Sequence, residues 1–130
     1  MNKSLVFALA LCASGAALAG SKFAGSGDII IVRNADGSGS ASGYLGAIYN
    51  GPSTRQWMGC QRSENDNVFC HALAEDPATR SVSCTVQSAF LAQSVSSISP
   101  DVRLLFQWNA QGVCTRIQVM HSSEYQDKQG

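Results

Sequence analysis

The sequence contains few charged residues and no excess of either sign. Lysine and arginine number 9, aspartate and glutamate number 9, and charged residues make up 14% of the 130-residue chain. Nucleic-acid binding requires a basic stripe that neutralises phosphates, and electrostatic attachment to anionic membranes requires a basic cluster. The composition therefore disfavours a nucleic-acid partner and a membrane-surface partner.

Long apolar runs are also absent. The longest, Leu5–Ala13, has about nine residues, whereas a membrane-spanning helix needs about 20. Lys3 precedes this run, and the small-residue sequence Ala17–Ala19 follows it. This order is typical of a secretory signal peptide. We expect residues 1–19 to be a signal peptide and the mature, secreted chain, periplasmic or extracellular, to begin at Gly20.

Recognised catalytic and metal-binding patterns are missing. The chain has no G-x-S-x-G nucleophile elbow and no C-x-x-C pair for zinc or redox chemistry. The acidic pairs within Glu64–Asp66 and Glu75–Asp76 fall in predicted turns, where such residues are common. Nothing in the sequence places His71 near His121, although weak metal binding by either stays open. We predict no catalytic residues, no cofactor and no metal site.

The cysteines indicate an oxidising compartment. Cys12 would leave with the signal peptide, and the even set that remains predicts two disulfides. Four cysteines allow three pairings, which the sequence alone leaves open. A hairpin centred on Asn65 would set Cys60 opposite Cys70, so this pairing is preferred. The four predicted disulfide cysteines are Cys60, Cys70, Cys84 and Cys114.

Alternating apolar residues predict a β-rich domain over residues 28–121, between a flexible lead-in at 20–27 and a flexible tail at 122–130. One helix is predicted from Leu91, Val95 and Ile98, with Ser88 as N-cap and an end before Pro100. The fold class is α+β, a small antiparallel sheet with one short helix packed on one face; the alternative is an all-β sandwich or barrel. The predicted strands are Asp28–Arg33, Tyr44–Tyr49, Arg55–Gln61, Val68–Leu73, Arg80–Val86, Val102–Trp108 and Val113–Val119.

The alternation of apolar residues on either side of one turn predicts the register of the last two strands. Symmetric pairing across the turn Asn109–Gly112 sets Trp108 opposite Val113 and Phe106 opposite Thr115. Strict alternation then places Cys114 on the face away from the core. A Cys84–Cys114 disulfide is therefore less strongly predicted than Cys60–Cys70.

Two apolar features bear on function. Tyr44, Tyr49 and Trp57 form a candidate ligand face, the alternative being that they fill the core. The strand Ile29–Val32 is apolar on both sides, which predicts burial of both faces or pairing with another chain. In-sheet pairing within one chain is the default for this strand.

The function predicted from these observations is an exported, non-enzymatic binding module. Its expected partner is an extracytoplasmic protein or glycan, and a homo-oligomer stays open. One alternative is a small inhibitor of a secreted protease or cell-wall hydrolase, which would act through the loops Asn34–Gly43 and Ser63–Asn67. The other is a self-assembling surface or matrix protein built through the first strand.

Overall fold

The computed structural model describes residues 27–75 and 81–122. The predicted signal peptide, nearly all of the lead-in and nearly all of the tail lie outside these residues. The described elements in chain order are β1 Ile30–Arg33, β2 Gly39–Tyr44, α1 Leu45–Asn50, β3 Trp57–Arg62, β4 Val68–Leu73, β5 Ser81–Val86, α2 Ala89–Val95, β6 Val102–Trp108 and β7 Cys114–His121.

Two antiparallel sheets enclose one hydrophobic core. One sheet has the strand order β1-β2-β6-β7 and the other the order β3-β4-β5. Buried side chains from both sheets form a single cluster, with Leu104 and Phe106 contributed by β6 and Cys70 by β4. The fold is mostly β with a short helix, which confirms the α+β class, although the strands divide into two sheets rather than one.

Strand β6 has the predicted alternation, because Leu104, Phe106 and Trp108 are all buried. Its partner is shifted from the predicted register: Phe106 lies opposite Ile117, not Thr115. The observed register leaves the polar Thr115 exposed, whereas the symmetric one would place it opposite the buried Phe106.

Two features together cause this two-residue shift: the turn closes on Asn109 and Val113, whose backbone groups are hydrogen-bonded at 3.0 Å, and β7 contains a β-bulge. Trp108 pairs with Cys114 and Gln107 pairs with Arg116, so Thr115 is an extra residue in the ladder. Thr115 and Arg116 are both exposed, while Cys114 is buried. The prediction that Cys114 projects away from the core is therefore wrong, because the turn places Cys114, not Val113, opposite Trp108 and the bulge then returns Ile117 to the core face.

Both disulfides connect elements of this core. Cys60 and Cys70 are directly opposite in the β3–β4 ladder and are bonded, as the hairpin register predicted. The Cys84–Cys114 disulfide joins β5 to β7 and so joins the two sheets. Beside it, the Thr85 amide donates to the Gly112 carbonyl at 3.0 Å. The seam between the sheets is thus held by a covalent bond and a backbone hydrogen bond.

The segment before β3 differs from its prediction. The sequence predicts a loop over residues 39–43, which form most of β2, and a strand over Tyr44–Tyr49, where the structure has helix α1 at Leu45–Asn50. A side chain at Gly39 would collide with the Val32 carbonyl and the Trp108 ring, and one at Gly43 would collide with Ile48. The small residues of β2 are therefore explained by close packing rather than by turn formation.

Strand β1 is covered on one side only. Ile29, just before it, is 7% exposed, whereas Ile30 is 59% and Val32 is 50% exposed. Burial of both faces within one chain is therefore wrong, because alternate side chains of β1 face solvent. The alternative, pairing with another chain, stays a prediction.

Helix α2 begins where the sequence predicted. The Ser88 hydroxyl accepts a hydrogen bond from the Leu91 amide at 3.4 Å, which is an N-cap. The helix contacts β7 and β5, and Leu91 and Val95 pack against the core. It is shorter than expected and ends at Val95. No helix in residues 27–75 and 81–122 is long and apolar enough to cross a membrane.

Candidate functional site

The outer face of the three-stranded sheet presents a block of aromatic and hydroxyl side chains. Because side chains alternate along a strand, the inward residues of β4 and β5 are buried and the others face outward. The register aligns the outward residues in three rows across the strands. We call this surface the β3–β5 outer face; its rows are Trp57, Leu73 and Ser81, then Gly59, His71 and Ser83, then Gln61, Phe69 and Thr85.

An aromatic cluster runs along this face. The Trp57 and His71 rings are 4.0 Å apart between centroids and meet edge to face at 67°. Phe69 lies on the other side of His71, with ring centroids 5.6 Å apart. Trp57 is nevertheless 48% exposed. His71 therefore supports the indole from one side and leaves about half of Trp57 accessible.

Gly59 leaves space in the middle of the face. It lies opposite His71, and a Cβ atom placed on it would meet nothing within 4 Å. The absence of a side chain keeps the area between Trp57 and Gln61 open. A flat ligand could approach the backbone of β3 at this point.

A shallow hollow lies at each end of the aromatic cluster. One, of about 370 Å³, is lined by Trp57, Leu73 and the flanking Arg55 and Glu75. The other, of about 470 Å³, is lined by Phe69 together with Asn67, Ser83 and Thr85. The face is therefore an elongated surface with a depression at either end, not an enclosed pocket.

The electrostatic character of the face is neutral. None of its nine residues is acidic or carries a permanent positive charge. Partial burial lowers the pKa of His71 below its ordinary value of 6.5. This shift favours the neutral imidazole at neutral pH, in which His71 acts as an aromatic ring and hydrogen-bonding group.

The predicted ligand face is distributed over different elements. Tyr44 ends β2, where the Arg103 guanidinium lies 5.6 Å from the centre of its ring. Tyr49 is on α1 and 88% exposed, and Trp57 is on β3 in the other sheet. Of the three, Trp57 belongs to the β3–β5 outer face.

His71 and Phe69 were not assigned to a site from the sequence. The signal was present in the hairpin register: if Cys60 and Cys70 face the core, then Phe69 and His71 must face outward on either side of Cys70. From the sequence, His71 is a candidate only for weak metal binding. Within the described residues, no group of three or more His, Cys, Asp or Glu side chains is placed to hold a metal ion.

Comparisons of the chain with protein-family models, with curated protein sequences and with solved structures find no significant match.

Proposed function

We propose that the protein is an exported, non-enzymatic binding module whose ligand lies on the β3–β5 outer face. The observation that carries this proposal is the Trp57–His71 pair, in which a large indole is held by a neighbouring ring and remains 48% exposed. Export is supported by the predicted signal peptide together with two disulfides, which persist in oxidising compartments.

The position of the aromatic cluster distinguishes it from the core. The core is formed by the inward residues of both sheets, including Phe106 and Trp108. Trp57, Phe69 and His71 are outward residues of a sheet whose other face is already packed. Clustered aromatic residues on a solvent-facing surface are enriched at recognition sites, because they offer apolar area and a polar atom together.

Rigidity supports the same function. The Cys60–Cys70 disulfide joins the two strands that carry the aromatic side chains. A surface that is already ordered loses less conformational entropy when it binds. The cross-link therefore contributes to binding by fixing the spacing of Trp57 and His71 before the ligand arrives.

Testing the proposal requires the oxidised mature chain from Gly20 and a panel of three probes: neutral and acidic oligosaccharides, extended peptides, and secreted hydrolases. We expect one class to bind and Trp57→Ala and Gly59→Val to weaken that binding at least 10-fold. Gly59→Val should fold, since its position is open and valine favours strands. The matched control is Phe90→Ala, which removes a 76% exposed aromatic on α2.

Retention of both disulfides, measured by peptide mapping, verifies that each variant is folded. Binding unaffected by Trp57→Ala, or no binding in any class, contradicts the proposal. So does turnover of a probe by the pure protein when a single polar substitution abolishes it.

A further inference from the structure

The chemistry of the β3–β5 outer face specifies a class of ligand, and the inference below rests on the function just proposed. The face offers no fixed charge with which to pair an acidic or basic group. The charged side chains beside it lie at the Trp57 end: Arg55 and Glu75, of opposite sign, line one hollow. The Arg33 guanidinium donates a hydrogen bond at 2.6 Å to the backbone carbonyl of Ser81, which is in the row of Trp57. The rows that contain His71 and Phe69 include no charged residue. Charge complementarity therefore favours an uncharged ligand.

Trp57 supplies a flat apolar platform. His71 meets the indole edge to face, which leaves the remainder of the ring accessible. A sugar ring has one face covered with C–H groups, and this face can pack on an aromatic plane, while its hydroxyl groups point outward at the rim. An amphipathic ring of this kind matches the indole without requiring a deep pocket.

Hydroxyl groups flank the aromatic cluster on β5. Ser83 and Thr85 are exposed, and their side chains make no hydrogen bond with any other residue that the structure describes. Gln61 is exposed on the opposite strand, in the same row as Thr85. Hydroxyl and amide side chains both donate and accept hydrogen bonds. Sugar hydroxyl groups also donate and accept hydrogen bonds, so each side chain can be either the donor or the acceptor toward the sugar.

The length of the surface favours several linked rings over one. Trp57 on β3 is followed, in the direction of the strands, by His71 and then Phe69 on β4, with a hollow beside Trp57 and another beside Phe69. A single ring would cover Trp57 and leave Phe69 unused. A linear chain can place one ring on the indole and extend over Gly59 and His71 toward Phe69.

We infer that the β3–β5 outer face binds an uncharged linear oligosaccharide, with Trp57 as the stacking residue and Ser83, Thr85 and Gln61 as hydrogen-bonding residues. The ligand lies along β4 and spans more than one sugar ring.

Calorimetry on the oxidised mature protein can test this inference with four probes: a neutral β-linked glucan oligomer, a chitin oligomer, an acidic uronate oligomer and an uncharged extended peptide. We expect a neutral oligomer of four or more rings to bind at least 10-fold more tightly than its monosaccharide. Trp57→Ala should weaken binding at least 10-fold and Trp57→Phe less, because phenylalanine keeps a stacking plane. Ser83→Ala should weaken binding a few-fold, while Phe90→Ala should leave it unchanged.

The outcomes separate this inference from the proposed function. If the peptide binds through Trp57 and no neutral oligosaccharide does, the ligand class is wrong and the binding function stands. Tighter binding of the uronate oligomer than of the neutral ones also overturns the ligand class. If no neutral oligosaccharide binds but a hydrolase or another member of the wider panel does, the ligand class is overturned and the binding function stands. If none of the four probes and no member of the wider panel binds, both are overturned.

Discussion

Cys70 and Cys84 lie directly opposite each other in the β4–β5 ladder, although each is disulfide-bonded to a different cysteine. Cys70 is bonded to Cys60 across β3 and β4, and Cys84 to Cys114 across the seam between the sheets. Three of the four cysteines thus occupy one row, Cys60, Cys70 and Cys84. This row places a third cysteine beside each bond, so a thiol freed in one disulfide would face a sulfur atom of the other.

Replacing Cys60 with serine should redirect the second disulfide. The freed Cys70 thiolate faces Cys84, so it can attack the Cys84 sulfur, break the Cys84–Cys114 bond and release Cys114 as a thiolate. We expect Cys60→Ser protein, incubated at mildly alkaline pH, to contain the Cys70–Cys84 bond. Alkylation followed by peptide mapping would identify it.

The matched control is Cys60→Ser with Cys70→Ser, which has no attacking thiol and should keep Cys84–Cys114. A Cys60→Ser variant that keeps this disulfide fully, with Cys70 alkylated, would show that the sulfur atoms cannot reach each other.

Deletion of Thr115 should be tolerated, because this residue is the extra one in the bulge. After deletion, Cys114 still lies opposite Trp108 and Ile117 opposite Phe106, so both remain on the core face in a regular ladder. We expect the variant to fold and to form the Cys84–Cys114 disulfide, as measured by the absence of free thiols.

Deletion of Gln118 is the control for the Thr115 deletion. It lies in the regular part of the ladder opposite Leu105, so its loss would turn Val119 away from the core. This variant should have the lower unfolding midpoint. Free thiols after deletion of Thr115 would mean that the bulge itself is needed to orient Cys114.

The hairpin β3–β4 could be predicted because one turn and one pair of cysteines define its register. Strand β4 occupies the predicted residues, and Cys60 faces Cys70. The β6–β7 register could not be predicted, since the alternation of residues reveals neither the turn that closes on Asn109 and Val113 nor the bulge that leaves Cys114 and Ile117 both buried.

The candidate site was predictable only in part. Trp57 can be identified as a candidate site residue from the sequence alone, because it is a large aromatic residue in a predicted strand. The role of His71 depends on a diagonal contact across β3 and β4, which requires the register and the outward direction of both side chains. Helix α1 was mistaken for a strand because the six-residue segment is too short for helical periodicity to appear.

Phe106→Ala should strongly destabilise the fold. Phe106 is fully buried and packs beside Trp108, so truncation leaves a cavity between the two sheets. Substitutions of this type cost about 3–5 kcal/mol, which urea unfolding would measure as a lower midpoint. Phe90→Ala, on the exposed side of α2, should change the free energy of unfolding by no more than about 0.5 kcal/mol. A similar decrease in the free energy of unfolding in the two variants would contradict the placement of Phe106 in the core.

His71 should make the stability of the protein fall in mild acid. Burial lowers its pKa in the folded state, so between that value and the unfolded value of about 6.5 the unfolded chain binds a proton that the folded chain does not. The contribution of neutral His71 to the free energy of unfolding is therefore complete above about pH 6.5 and is lost as the pH falls through the folded-state pKa.

The midpoint of thermal unfolding should decrease more between pH 8 and pH 5 in the wild type than in His71→Gln. His121→Gln removes the other histidine, at the exposed end of β7, and serves as the control. If His71→Gln keeps the full wild-type decrease, protonation of His71 is not coupled to unfolding, and partial burial beside Trp57 does not disfavour its charged form.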